Sequence, residues 1–189
     1  MRNLARFALA WLAFQPLAFG AGVAWKGGVN DWFVGTNWVG DSVPAAGDDV
    51  TVASGSVLLT NSTPLLRSFV ITNATLTFSN WNTTLSVSSN ILVRSNGVIT
   101  LPVSYTNSQM SNNIVLICRD LTVEAGGRIN ADGCGFRGGY TPGGGYSAPG
   151  NGPGGGPGGS TTGGGSPGAG HGGYGGRSWD TDLHGAMYD

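Results

Sequence analysis

Charge is scarce in this chain. Of its 189 residues only 10% are Asp, Glu, Lys or Arg, and the formal net charge is −1. The clustered basic face that tracks a phosphate backbone is missing, which excludes nucleic acid as a partner. No block of like charges marks an acidic or basic tail. No glycine stretch ends in Gly-Lys-Ser/Thr, so there is no phosphate loop. The Cys-x-x-Cys spacing of a thiolate metal site is absent, as is the Gly-Gly-x-Gly-x-Asp nonapeptide of calcium β-rolls. Cysteine is limited to Cys118 and Cys134, and histidine to His171 and His184. Beyond Phe19 no stretch approaches the ~20 apolar residues that a membrane span requires. Nothing in the pattern calls for a cofactor or a metal.

What is present begins with an export signal. Arg2 and Arg6 precede the apolar run Phe7 to Phe19, and small residues follow at Gly20, Ala21, Gly22 and Ala24. That order predicts a leader over residues 1–24, with cleavage after Gly20 or Ala24, and a secreted or cell-surface product. Pro16 and the shortness of the run argue against a transmembrane anchor. Export places Cys118 and Cys134 in an oxidising compartment, where one internal disulfide is open to them. Whether their Cα atoms come within reach is not set by sequence spacing.

Residues 25–49 are dense in aromatics, with Trp25, Trp32, Phe33 and Trp38 among turn residues such as Gly27-Gly28 and Val43-Pro44. So much apolar surface is costly to leave in water. The preferred reading is an aromatic N-terminal cap over a stack of strands, whose end would otherwise expose unpaired edges. The rival reading makes Trp25, Trp32 and Trp38 a sugar-stacking platform.

Residues 50–132 state one pattern four times. Units starting at Val50, Phe69, Ile91 and Leu121 lie about 19, 22 and 30 residues apart, a period typical of stacked repeats. Each unit is two apolar-polar-apolar triplets. Alternation puts Val50 and Val52, Phe69 and Ile71, Ile91 and Val93, and Leu121 and Val123 on one strand face. Val57 and Leu59, Leu76 and Phe78, Ile99 and Leu101, and Ile129 and Ala131 do the same in the second triplet. Ser54-Gly55, Asn73, Asn96-Gly97 and Gly126-Gly127 allow the chain to bend between triplets. A third apolar run (Leu65-Leu66, Leu85 to Val87, Ile114 to Cys118) precedes each later unit. The expected architecture is all-β, a small β-solenoid in which each strand pairs with its equivalent in the next unit. A loop is expected to bulge from the stack at about Pro102 to Asn113.

From residue 133 to 176 glycine and proline dominate without a strict triplet. This marks a low-complexity extension, since it offers little apolar area against its ordering entropy. Residues 177–189 return to mixed composition with no second cap and read as a C-terminal stub, so the chain reads as the front of a longer repeat protein.

These residues carry a resemblance. Trp25, Asp31-Trp32, Asn37-Trp38-Val-Gly and Val43-Pro44, followed by β repeats, resemble the start of secreted bacterial repeat proteins with right-handed parallel β-helix passengers of the adhesin or autotransporter type. The Trp…Val-Pro…Gly-Asp-x-Val opening, ending in Gly47-Asp48-Asp49-Val50, is also similar to the G8 domain, a β-rich extracellular module. His171-Gly-Gly-Tyr174-Gly-Gly resembles the glycine-rich insertions of such helices. The resemblance implies a right-handed parallel β-helix and a surface role toward polysaccharide or cell-surface ligands.

Similar β-helix proteins include polysaccharide lyases and glycoside hydrolases, so catalysis is the competing class. Glycoside cleavage needs two carboxyl groups about 5 to 9.5 Å apart. The candidates are Asp120, Glu124 and Asp132, with Arg119 and Arg128 nearby, and they read as solvated charge because no further group completes a site. His171 and His184 read as uncommitted. Asp41 and the Asp48-Asp49 pair are oxygen donors of the kind calcium takes, but without the calcium β-roll nonapeptide the pair is expected to flank the first strand and discourage edge pairing. The expectation is a non-catalytic structural or adhesive protein.

Overall fold

A computed structural model describes residues 20–103, 113–136, 149–152 and 155–156. The leader run, the centre of the expected bulge, most of the glycine-rich stretch, both histidines and residues 177–189 lie outside the described residues.

The described chain is all-β, apart from a single 3-10 turn at Gly35–Asn37. Two short strands, β1 (Gly22–Ala24) and β2 (Val29–Asp31), come first. Then follow β3 (Asp49–Val52), β4 (Gly55–Leu59), β5 (Ser68–Ile71), β6 (Ala74–Phe78) and β7 (Thr84–Ser86). The series ends with β8 (Asn90–Val93), β9 (Val98–Thr100), β10 (Val115–Ile117), β11 (Asp120–Val123) and β12 (Arg128–Asn130).

All strand pairings are parallel. One sheet runs β1-β3-β5-β8-β11, a second β2-β4-β6-β9-β12, and a third pairs β7 with β10. Strands joined by a short link, such as β3 and β4, never pair with each other; each finds its counterpart in the next tier. That excludes the hairpins that the Asn96-Gly97 link would otherwise suit. It is an open parallel arrangement compatible with a solenoid. Leu66 adds a parallel bridge to Val87, just past β7, so the third apolar run is also matched between tiers.

Register follows the apolar pattern. Val50, Phe69, Ile91 and Leu121 stand in line, as do Val52, Ile71, Val93 and Val123. Val57, Leu76, Ile99 and Ile129 form the matching column of the second sheet. In the first three tiers these side chains are buried, and each fully buried Val, Leu, Ile or Phe contributes about 1.5–3 kcal/mol. A slip of one residue would turn the whole column outward, which is why the register holds. The last tier differs: Leu121 and Val123 are each 45% exposed and Ile129 40%, although the residues beneath them are fully buried. They keep the column but have no further strand above them among the described residues.

The links obey local sterics. Asn73, Asn96 and Gly126 share one corner of successive tiers and have φ of 47°, 56° and 82°. Asn and Gly are the residues that enter this left-handed region most readily. Gly97 is needed for a second reason, because a Cβ there would lie 2.7 Å from the carbonyl oxygen of Ile71.

Two expectations change. Residues 21–24, assigned to the leader, belong to the fold: β1 pairs with Asp49–Thr51, and the Ala21 amide donates to Asp48 Oδ1 at 2.8 Å. Cleavage after Gly20 leaves the sheet whole, whereas cleavage after Ala24 removes a strand. Nor do Asp48 and Asp49 discourage pairing, since β3 is paired on both sides. Asp48 is nearly buried and accepts from Ala21 and Ala45 amides, while Asp49 accepts from Arg67 and Ser68 of the next tier. Their carboxylates are staples between segments.

Candidate functional site

The three tryptophans proposed as a sugar platform are interior residues. Trp25 is 5% exposed and Trp32 and Trp38 are fully buried. Trp38 meets Trp25 and Trp32 edge-on, with ring centroids 5.0 and 4.7 Å apart, and Trp32 lies 6.1 Å from Phe69. The Trp38 indole N–H donates to the Trp32 carbonyl at 2.7 Å. An antiparallel bridge between Trp25 and Trp38 draws the segment back on itself. The rings are buried within the apolar cluster and leave no face for a sugar, so the platform reading is corrected on grounds of packing.

The acidic candidates are dispersed. Asp120 opens β11 and Glu124 follows its end, four residues along an extended strand, which separates their Cα atoms by about 13 Å at ~3.3 Å per residue. Each carboxylate has a cation: Arg119 Nε lies 3.4 Å from Asp120, and Arg94 Nε of the preceding tier 3.9 Å from Glu124. Asp132 follows β12, where its amide donates to Asn130 Oδ1 at 2.7 Å.

Cys118 and Cys134 are free thiols, both half-buried. Cys118 packs against the core beside β10, and burial, followed by the charge of Asp120, pushes its thiol above the ordinary range. Cys134 lies past β12, with Sγ 3.6 Å from the Leu101 carbonyl and 3.4 Å from that of Asp132. Among the described residues no three His, Cys, Asp or Glu side chains come together as a metal-binding group, and no helix is long and apolar enough to cross a membrane.

A hollow that the triplet pattern did not mark lies at one corner of the stack. Thr60, Asn61 and Ser62 follow β4, and Asn80, Trp81, Asn82 and Thr83 follow β6 in the next tier. Together they line about 330 Å³, near the lower end of the range for small-molecule sites. The corner is tied down by its own polar groups. Asn80 Nδ2 donates to the Thr60 carbonyl at 2.5 Å, and the Thr84 amide donates to Ser62 Oγ at 3.1 Å. Thr83 Oγ1 closes the turn on the Asn80 carbonyl at 2.7 Å, and Asn82 takes φ of 56° to make it. Trp81 projects with 45% of its surface exposed, unlike the three buried tryptophans. No lining residue is charged. The sequence signal was available: Trp81 stands between two Asn in Ser79-Asn80-Trp81-Asn82-Thr83, outside every apolar triplet.

Over residues 37–126 the chain matches the family model of the G8 domain. That interval takes in β3 to β11 and the whole of the Trp81 hollow, and leaves out β1, β2, Trp25 and Trp32. No curated protein and no solved structure matches the chain.

Proposed function

We propose that the chain is a secreted or cell-surface, non-catalytic structural and adhesive module, G8-like over residues 37–126, that contacts polysaccharide or cell-surface ligands through the side of its stack. In this reading residues 50–132 wind as a right-handed parallel β-helix closed at one end by the tryptophan cap. The supporting observation is the division of labour along each strand. Inward residues of the first three tiers are buried in one apolar interior, while the outward positions mix half-buried apolar residues (Leu58, Val70, Leu92 and Val98) with hydrogen-bonding ones, Thr51, Thr72, Thr77, Arg94 and Thr100. Export is supported by Arg2, Arg6 and the Phe7–Phe19 run.

The competing reading is the N-terminal portion of a polysaccharide-degrading β-helix enzyme. Incubation of the mature chain with a polysaccharide panel separates the two. Retention of polysaccharide without new reducing ends or unsaturated products supports the adhesive module. Turnover that disappears on Asp120→Asn or Glu124→Gln overturns it.

A further inference from the structure

We infer that the hollow between Thr60–Ser62 and Asn80–Thr83 is a subsite for an uncharged glycan, with the Trp81 indole as the stacking face. The inference rests on the adhesive reading and adds to it the place of contact and the ligand class. An exposed Trp alone would carry nothing, since single apolar side chains at a surface are ordinary. Here the ring lines a hollow whose other lining side chains are all amides and hydroxyls. A pyranose has that dual character: C–H groups on one face and a rim of hydroxyls that both donate and accept. Aromatic side chains with a polar surround suit a ligand that is apolar on one side and wet on the other.

The polar groups fall into two sets. Asn80 Nδ2, Thr83 Oγ1, the Thr60 hydroxyl that donates to Asp31 Oδ2 at 2.8 Å, and the lone pair of Ser62 that receives the Thr84 amide are spent on holding the corner. The side-chain amides of Asn61 and Asn82 make no hydrogen bond to the described protein. Each offers two donors and an acceptor, and each belongs to a different tier, so the two flank the hollow. Because the corner is already fixed by its internal bonds, little ordering cost is added on binding.

Charge selects the ligand class. With no Arg or Lys in the lining, the carboxylate of a uronic acid would find no counter-ion in the hollow and would lose hydration on entry. Neutral hexose or pentose chains meet no such cost. A single aromatic in a shallow site implies weak binding per subsite.

The test uses the mature full chain with cellohexaose, mannohexaose and an oligogalacturonate as probes, read by calorimetry and by intrinsic Trp fluorescence. Binding of a neutral oligosaccharide, weakened at least tenfold by Trp81→Ala and less by Trp81→Phe, is the result expected. Asn61→Ala and Asn82→Gly should each weaken it several-fold, with unchanged thermal melting as the control for folding. Neutral-glycan binding that survives Trp81→Ala overturns the subsite and leaves the adhesive reading standing. Trp81-dependent preference for the oligogalacturonate overturns the assignment to uncharged ligands. Failure of the wild-type chain to retain any polysaccharide overturns the adhesive reading itself.

Discussion

The Asn96 side-chain amide donates to the Asn73 carboxamide oxygen at 3.1 Å, joining two residues that both sit at positive φ in adjacent tiers. The pair fixes the corner twice, through backbone conformation and through the bond. Asn96→Ala should lose about 1–2 kcal/mol from the left-handed backbone and a further ~1 kcal/mol from the bond. Asn96→Gly relieves the backbone and forfeits the bond. Urea denaturation should therefore rank wild type above Gly and Gly above Ala. An Ala variant more stable than Gly would show that backbone conformation does not govern this corner.

The buried tryptophan cluster offers a matched comparison. Trp38 donates its indole N–H to Trp32, whereas the indole N–H of Trp25 is buried without a partner in the described protein. Trp38→Phe and Trp25→Phe remove similar ring volume from one cluster. Trp38→Phe should cost about 1 kcal/mol more, since it alone breaks a hydrogen bond and leaves the Trp32 carbonyl unpaired. Equal losses of melting temperature would assign the cluster's stability to packing alone.

Position along a column should set the cost of truncation. Leu76 is fully buried between Val57 and Ile99, and Leu76→Ala should cost about 2–5 kcal/mol. Leu121 is 45% exposed above Ile91, so Leu121→Ala should cost less than half as much. Comparable losses in the two variants would mean that the last tier is covered in solution.

Acid should loosen the join between the second and third members of the first sheet. The Arg67 guanidinium and the Ser68 hydroxyl beside Asp49 hold its carboxyl below the ordinary 3.8. A depressed carboxylate contributes stability that is fully present above its unfolded pKa and is lost as pH falls through the lower folded value. Melting temperature should therefore be flat in this contribution above about pH 5 and decline below about pH 4. Asp49→Asn should shrink the acid decline. The ion pair is partly exposed, so its effect at neutral pH should be small and should weaken with salt.

Much of the fold was legible because its information is local and repeated. The alternation in Val50 to Leu59 and its three echoes fixed which residues face inward, and Asn73, Asn96 and Gly126 marked the corners. Parallel pairing was legible from the echoes alone, since hairpins would not require four segments to match in phase. The function of the aromatics was harder to read. Trp25, Trp32 and Trp38 look alike on paper whether they stack on sugar or on each other, and only their edge-on packing decides. Trp81 was passed over because it lies outside the apolar pattern, although a large ring among Asn, Ser and Thr has no interior to enter. Apart from the Ala45 amide, the partners of Asp48 and Asp49 lie 18 to 27 residues away, a distance over which spacing says nothing.

The corners differ in length while the sheets do not. Residues 79–83 carry the chain from β6 to β7, and residues 101–114 carry it from β9 to β10, yet β10 lies in register on β7 and β11 on β8. Loop closure grows only slowly more costly with length. The margin of the molecule can therefore be rewritten, lengthened or grafted without re-indexing its interior. Sequence variation has an inexpensive place to accumulate there, one bend at a time.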